Sequence, residues 1–159
     1  FETGVLWFRG ANIFEGYLGE PDRTADVLQG GWFRSGDIGR MDEDGFLYIE
    51  GRLARFSKIG GEMVPLATME QHLHAAFGMV ETDQPLFVVC RRPHRLKGEE
   101  LVIITTLEVG EREISRRLRE RGLPNLWIPK VVHRVKSIPI LASGKLDLRS
   151  CDSLARDAH

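Results

Sequence analysis

The apolar runs of this chain are all short, which limits the folds that it can adopt. The longest run, residues 101–107, contains two threonines and is far too short to cross a bilayer, so we expect no membrane span. Short runs separated by Gly, Asp and Pro are typical of strands joined by tight turns. The chain of 159 residues, 42% of them hydrophobic, can form one domain or two small ones with a buried core.

Residues 1–50 predict mostly short antiparallel strands. The expected strands are residues 4–9, residues 32–34, a segment around Ile38 and residues 46–49. The Asp-Glu-Asp-Gly sequence at residues 42–45 is a strong tight-turn signal, and residues 35–37 are expected to end the strand before them. A short helix is expected to begin at Pro21 and to stop at the Gly30-Gly31 pair.

Residues 51–159 alternate between helical and strand patterns. The expected elements are a hairpin with Gly60 and Gly61 at its turn, an amphipathic helix from Pro65 to Gly78, strands at residues 86–90 and 101–107, a helix at residues 111–121, a strand at residues 131–138 and a weak terminal helix. The predicted fold class is therefore α+β. Short antiparallel strands precede a small α/β domain with a β-hairpin, a three-stranded sheet and two to three helices.

Charge and metal-ligand patterns exclude several classes of function. The formal net charge of −1 argues against bulk electrostatic binding to nucleic acid. Cys90 and Cys151 lie far apart without metal-like spacing, and His72 and His74 face different ways on the predicted helix. We therefore predict no metal site, no disulfide and a reducing cytoplasmic setting.

Asp37 and Arg52 are the first candidate site residues. A carboxylate in a turn after a strand can accept hydrogen bonds from two adjacent hydroxyls, as a nucleoside ribose presents them. Arg52 can neutralise a phosphate or bridge to such an Asp. From the local sequence alone, the alternative that Asp37 only satisfies the backbone of its own turn stays open.

The glycine hairpin and a loop near the C-terminus are the other candidates. Gly60 and Gly61 beside Lys58 would let a ligand approach the backbone closely, although a plain surface hairpin has the same sequence signature. Lys145 follows a Ser-Gly turn, and its compact ammonium suits phosphate or carboxylate oxygens. It does not belong to a phosphate-binding P-loop, whose spacing is absent, and most Gly-Lys pairs are surface turns.

Taken in order, these motifs resemble a known family over essentially the whole chain. They are Glu2-Thr3-Gly4, Gly10 to Gly16-Tyr17, Arg34-Ser35-Gly36-Asp37, Gly51-Arg52 through Glu70, and the loop from Pro139 to Lys145. This order resembles the adenylate-forming superfamily of acyl-CoA synthetases, luciferases and peptide-synthetase adenylation domains. Residues 51–65 are similar to the 2-acylglycerophosphoethanolamine acyltransferase/acyl-acyl carrier protein synthetase subgroup.

The resemblance implies a role for each nucleotide-site residue. Asp37 would bind the ribose hydroxyls of ATP, and Arg52 would support the same nucleotide. Lys145 would be the catalytic residue, contacting the acyl carboxylate and the phosphate during adenylation, where a cation relieves developing negative charge.

The resemblance also implies a moving domain. Arg52, Leu53 and Ala54 would form its hinge. Lys58, Gly60 and Gly61 would line the passage for the thiol acceptor. In this interpretation residues 1–50 are the end of a large N-terminal adenylation domain and residues 51–159 are the mobile C-terminal domain.

The activity implied is that of a ligase that activates a fatty acid as acyl-AMP and transfers it to acyl carrier protein, with lysophospholipid acylation as an additional activity. A fatty acyl-CoA ligase, with CoA as acceptor, and a non-catalytic interaction module that keeps the fold are the alternatives. ATP or AMP with Mg²⁺ would be bound mainly by a missing upstream domain. The chain begins at Phe1 without an initiator Met, so we expect an inactive fragment, cytoplasmic in location, with membrane association of the full-length protein left open.

Two positions depart from the family pattern. Ala54 stands where the family often has Asp or Lys, and Met63 stands where it usually has Arg. Both departures favour the acyl carrier protein subgroup over a standard CoA ligase.

Overall fold

The computed structural model describes residues 2–78 and 85–158, and it divides the chain into two compact units, Phe1–Arg55 and Phe56–His159. The predicted domain boundary, between residues 50 and 51, falls inside a strand, and the unit boundary follows at Arg55. That the first unit ends a larger domain and that the second unit moves stay predictions.

The first unit is built around one long strand, because three other strands pair with it antiparallel. Its elements are β1 (Gly4–Phe8), α1 (Pro21–Val27), β2 (Leu28–Gln29), β3 (Trp32–Met41), β4 (Leu47–Arg52) and a 3₁₀ turn at Leu53–Arg55. The predicted tight turn between β3 and β4 is confirmed. Asp42 closes it, because its backbone N–H donates to the Phe46 carbonyl over 3.0 Å and its carboxylate accepts from the Phe46 N–H over 2.8 Å.

The first unit differs from two expectations. Gly30 and Gly31 form the two-residue turn of a hairpin between β2 and β3 instead of a helix stop, and both have positive φ angles, of 57° and 80°. Residues 35–37 lie inside β3 instead of ending a strand. The strand continues because a bulge at Gly36, with a φ of 75°, absorbs the irregular residues before regular pairing resumes.

The second unit is a five-stranded sheet with helices on both faces. Its elements are β5 (Phe56–Ile59), β6 (Glu62–Pro65), α2 (Leu66–Ala76), β7 (Phe87–His94), β8 (Gly98–Thr105), α3 (Glu111–Glu120), a 3₁₀ turn at Asn125–Trp127, β9 (Val131–Arg134) and α4 (Leu148–Asp157). Strand β8 pairs antiparallel with β7 and parallel with β9, and the β5–β6 hairpin joins β8. The predicted α+β fold class is confirmed. The predicted hairpin is present but joins the three strands β7, β8 and β9 in one five-stranded sheet, and there are three helices where two to three were predicted.

Alternating side chains of β7 and β8 fill two apolar layers. Phe87, Val89 and Ile103 pack against α2 and α3 on one face, whereas Val88 and Cys90 pack against α4 on the other. This period-two alternation is what a strand covered on both sides requires. The sheet centre therefore gives the second unit a core of its own.

Several strand boundaries in the second unit differ from the sequence analysis, and β8 covers Gly98–Thr105 instead of residues 101–107. Strand β7 continues to His94 instead of ending at residue 90, so Arg91 and Arg92 lie in the strand. Cross-strand pairing explains this, because Arg92 Nε lies 2.7 Å from Glu100 Oε1 on β8. The last strand ends at Arg134 instead of residue 138. In the part of the chain that is described, no helix has the length and apolar character that crossing a membrane requires.

Candidate functional site

Asp37 and Arg52 are neighbours across two strands of the first unit. Their backbones pair directly in the β3–β4 register, and Arg52 Nε lies 2.9 Å from Asp37 Oδ1. Arg52 also donates from Nη1 to the Ser35 carbonyl over 3.2 Å. The arrangement that the sequence suggested, an arginine bridging to an acidic residue, is present.

The bulge in β3 determines where the Asp37 carboxylate lies. The Ser35 hydroxyl donates to the Leu6 carbonyl over 3.1 Å and accepts the Asp37 N–H over 3.0 Å. This turn of backbone around a serine side chain is an ST motif, which fixes residue i+2 relative to the serine. The sequence analysis did not predict Ser35 as a site residue, although a serine two residues before a candidate Asp is a signal that could have pointed to this hydrogen bond.

An open cavity of about 460 Å³ lies beside this bulge. Its lining includes Tyr17, Asp26, Arg34, Ser35 and Gly36, all from the first unit. Aromatic, anionic and cationic groups therefore face the same space next to the backbone of the bulge. Asp37 is not part of this lining.

The predicted hinge residues lie at the end of the first unit. Arg52 is the last residue of β4, and Leu53 and Ala54 begin the 3₁₀ turn that ends at Arg55. The unit boundary follows directly, between Arg55 and Phe56. The hinge role is consistent with this location and stays a prediction.

Gly60 and Gly61 form the turn of the β5–β6 hairpin, as the sequence predicted. Both have positive φ angles, of 57° and 94°, which a two-residue turn of this kind requires. A Cβ added at Gly60 would lie 3.5 Å from Leu126 Cδ1, whereas one added at Gly61 would meet no described atom within 4 Å. The backbone at Gly61 is therefore open to approach by another molecule, and Lys58 is exposed on the same hairpin.

Lys145 closes a tight loop that is held by main-chain hydrogen bonds. Its carbonyl accepts the Leu141 N–H over 2.7 Å, and the Gly144 N–H donates to the Leu141 carbonyl over 2.9 Å. Ile140 and Leu146 pair as an isolated bridge across the loop. These hydrogen bonds fix the backbone of the loop, and the Lys145 side chain is exposed on it.

Helix α4 anchors this loop from the other side. Asp147, two residues after Lys145, caps the helix by accepting from the Ser150 N–H over 3.1 Å and from the Ser150 hydroxyl over 2.7 Å. The hydrogen bond from the Ser150 hydroxyl, followed by that from the Ser150 N–H, lowers the pKa of Asp147 below its ordinary value. The carboxylate form therefore fixes the point where the lysine loop meets the helix.

The candidate residues fall into separate groups. Asp37 and Arg52 are in contact in the first unit. In the second unit, none of the hydrogen bonds or ion pairs described for residues 56–78 and 85–158 joins Lys145 to the hairpin. Within residues 2–78 and 85–158, no three His, Cys, Asp or Glu side chains lie close enough together to hold a metal ion.

Curated proteins with known activities match this chain, although no protein-family model does. It is 35% identical over 153 residues to 2-succinylbenzoate–CoA ligase of Geobacillus sp. (strain WCH70), a match that covers 92% of this chain and 29% of that ligase. The chain is also 31% identical over 150 residues to long-chain-fatty-acid–CoA ligase of Bacillus subtilis (strain 168). This match covers 92% of this chain and 26% of that ligase. The chain is similar to part of a CoA ligase. It spans less than a third of the length of these curated relatives.

Solved structures of ligases share the fold. The amide bond synthetase McbA from Marinactinospora thermotolerans is 29% identical with a TM-score of 0.69, over 96% of this chain and 31% of that one. The o-succinylbenzoate CoA synthetase MenE from Bacillus subtilis, in complex with the acyl-adenylate intermediate OSB-AMP, is 26% identical with a TM-score of 0.70. The match covers 94% of this chain and 30% of that one. The ATP-bound RpMatB-BxBclM chimera B3 is 25% identical with a TM-score of 0.74, and the match covers 98% of this chain and 31% of that one. The mixed α+β fold therefore matches the C-terminal portion of AMP-binding ligases.

Proposed function

We propose that this chain is the C-terminal part of an ATP-dependent ligase that activates a carboxylic acid as acyl-AMP and transfers the acyl group to a thiol. The observation that carries the proposal is similarity along more than nine tenths of the chain to CoA ligases that act on different acids. The Asp37–Arg52 pair, the open glycine hairpin and the exposed Lys145 add support, because each provides chemistry that one step of this reaction needs.

Lys145 would serve the adenylation step. An acyl carboxylate and a phosphate, both anionic, must meet at one phosphorus atom, and a nearby ammonium stabilises the negative charge that develops there. Mg²⁺ would enter with the phosphates of ATP and supply further charge neutralisation. The residues of this chain would contribute the cation and its position, and the upstream domain would bind most of the nucleotide.

Asp37 and Arg52 would hold the ribose of the nucleotide. Arg52 contacts Asp37 Oδ1, and the two oxygens of a carboxylate have further lone pairs that can accept hydroxyls. The arginine orients the carboxylate, which favours acceptance of both ribose hydroxyls.

The second unit would reorient about Arg52, Leu53 and Ala54 between the two half-reactions. One orientation would bring Lys145 to the reacting phosphate. The other would present Gly60 and Gly61 to the thiol acceptor, for which the open space at Gly61 leaves room. Lys58 would flank this passage.

The acceptor divides the proposal into two. CoA is favoured by the two curated relatives named above, which are CoA ligases. Acyl carrier protein, as in the subgroup that residues 51–65 resemble, is favoured by Met63, which is 44% exposed on the hairpin where a phosphate-binding arginine is usual. Lysophospholipid acylation would follow from the same subgroup. A cytoplasmic location is also part of the proposal, with membrane association of the full-length protein left open.

The first unit would complete its fold inside a larger adenylation domain. Ile38 is the one buried hydrophobic side chain among its described residues, whereas Phe46 and Ile49 are each 66% exposed. A sheet with so little buried apolar surface needs a partner to cover it. The upstream part of the ligase is the partner that we propose.

The test is acid-dependent ATP–pyrophosphate exchange by the full-length protein across fatty acids of different length and aryl acids. Exchange that appears only with a carboxylic acid is expected, followed by thioester formation with CoA or with acyl carrier protein. The matched control is the isolated 159-residue chain, for which we expect no exchange. Absence of exchange with every acid would overturn the ligase assignment, and exchange by the isolated chain would overturn its dependence on an upstream domain.

A further inference from the structure

The β5–β6 hairpin is joined to its sheet by very little main-chain pairing. Strand β5 pairs with β8 at a single position, Ile59 opposite Gly98. One further main-chain hydrogen bond, from the Gly60 N–H to the Lys97 carbonyl, spans 3.0 Å. Other contacts must therefore fix the position of the rest of β5.

Two side chains take the place of the missing strand partner. Glu99 Oε2 accepts the Lys58 N–H over 2.7 Å, and Arg91 Nη1 donates to the Phe56 carbonyl. Phe56 and Lys58 are two residues apart on β5, so these main-chain groups point to the same edge of the strand. Glu99 and Arg91 thus satisfy the edge that a β-ladder would otherwise cover.

The same carboxylate also closes a small polar network. The Ser57 hydroxyl donates to Glu99 Oε2 over 3.0 Å, and Arg91 Nε lies 3.6 Å from Glu99 Oε1. Ser57 is completely buried. Removing Glu99 would therefore leave a buried hydroxyl and a backbone N–H without their acceptor, which destabilises the local arrangement more than the loss of an exposed ion pair does.

We propose that Glu99 is a positioning residue for the thiol-transfer half-reaction. It holds β5 against the sheet, so that Lys58 and the Gly60-Gly61 turn have one defined position. Strand β5 is also the first element after the unit boundary, so this anchor makes it move with the rest of the second unit. The inference rests on the proposed function, because it assigns to Glu99 the geometry of the passage described there.

The experiment compares Glu99→Ala and Glu99→Gln with wild type in the full-length protein. Acyl-adenylate formation is measured by ATP–pyrophosphate exchange, and transfer is measured in a single turnover from preformed acyl-adenylate to CoA or carrier protein. For Glu99→Ala we expect transfer to fall by about 10- to 100-fold while exchange stays within about threefold of wild type. Glutamine keeps an acceptor oxygen for Ser57 and Lys58, so Glu99→Gln is expected to restore most of the transfer rate.

Glu108→Ala is the matched control. It also removes a glutamate from an ion pair of the second unit, with Arg134 at 2.7 Å, but Glu108 is 84% exposed and lies away from the hairpin contacts. We expect both half-reactions of this variant to match wild type. Equal loss of exchange and transfer in Glu99→Ala, no loss of either, or failure of glutamine to restore transfer would each overturn the positioning role.

Hydrogen exchange tests the anchor independently of activity. In Glu99→Ala, the backbone amides of residues 56–64 are expected to exchange hydrogen at least about tenfold faster, with helix α3 unchanged. Unchanged protection of the hairpin would overturn the anchor. The two ideas can fail separately. If wild type shows no acid-dependent ATP–pyrophosphate exchange, but the hairpin amides of Glu99→Ala still exchange hydrogen faster, the proposed function is wrong and the anchoring role of Glu99 holds.

Discussion

Asp37 shows how a single residue can be oriented by a contact that adds little stability. Its ion-pair partner Arg52 is 66% exposed, and exposed pairs of this kind contribute only about 0–1 kcal/mol. The ST motif of Ser35 fixes the backbone of Asp37, and the arginine fixes its carboxylate. The arrangement therefore suits a preorganised ligand-binding carboxylate better than a contact that stabilises the fold.

Replacing Asp37 by asparagine tests that interpretation. Asparagine keeps the size but loses the charge-assisted acceptance of two hydroxyls, so we expect the KM for ATP in the exchange assay to rise at least about tenfold. The unfolding midpoint should stay the same. Glu50→Gln is the control, because Glu50 forms a comparable exposed pair with Arg40, at 3.3 Å, on the same two strands. An unchanged KM for ATP in Asp37→Asn would contradict the ribose-binding role.

At the scale of elements, the β5–β6 turn carries a prediction about the second half-reaction. Gly61→Val places a branched side chain at a φ of 94° and in the open space beside the turn. We expect transfer to the thiol to fall by at least about tenfold, with adenylation within about threefold of wild type. The measurement is the rate of each half-reaction in the full-length protein.

Gly122→Val separates strain from obstruction. Gly122 follows helix α3, has a φ of 79°, and its added Cβ would also meet no described atom within 4 Å. Both variants therefore introduce comparable backbone strain, but only the hairpin variant should slow transfer. Equal slowing in the two variants would show that the passage at Gly61 has no special role.

Helix α4 carries a second prediction at this scale. Asp147→Ala removes the cap, so we expect the unfolding midpoint at pH 7 to fall by about 2–4 °C. Because Lys145 lies two residues before the cap, adenylation should also slow. Thermal unfolding followed by circular dichroism measures the first effect.

The same cap has a defined pH dependence. The folded state lowers the pKa of Asp147 below its ordinary value of 3.8, so its stabilising contribution is present above that value and is lost as the pH falls through the folded pKa. The difference in midpoint between wild type and Asp147→Ala should therefore be constant near neutrality and disappear in strong acid. A difference that grows on acidification would contradict the assigned cap.

The two units of the whole molecule differ in how much core they contain. The second unit buries two apolar layers around β7 and β8, whereas the first buries Ile38 alone among the hydrophobic side chains of its described residues. We therefore expect the polypeptide Phe56–His159 to fold cooperatively by itself, and Phe1–Arg55 to remain unfolded in isolation. Chemical-shift dispersion in amide NMR spectra distinguishes the outcomes. A dispersed spectrum from Phe1–Arg55 would contradict its need for a larger domain.

Local sequence signals account for much of this fold. The amphipathic pattern between Pro65 and Gly78 predicted α2, and the Gly60-Gly61 pair predicted the hairpin turn, because both signals depend on neighbouring residues. The prediction that the Gly30-Gly31 pair stops a helix was wrong. The two-residue strand β2 lies between helix α1 and this pair, and β2 pairs with β3 across the turn. The parallel pairing of β8 with β9 had no local signal, because it depends on packing between distant segments.

The candidate site was predictable only in part. Asp37, Arg52 and Lys145 came from motifs in a known order, and their assigned roles are still predictions. Glu99 escaped detection because it contacts Lys58 across the fold, and nothing in its own neighbourhood marks it. Ser35 was seen as a turn residue, whereas its hydroxyl supports the bulge that orients Asp37.

The most direct test of the central claim is the half-reaction profile of Lys145→Ala in the full-length protein. The account predicts that acid-dependent ATP–pyrophosphate exchange falls by at least about 100-fold, because the developing charge on phosphorus loses its cation. Transfer from preformed acyl-adenylate to the thiol should stay within about threefold of wild type. Undiminished exchange, or equal loss in both half-reactions, would contradict the role assigned to Lys145.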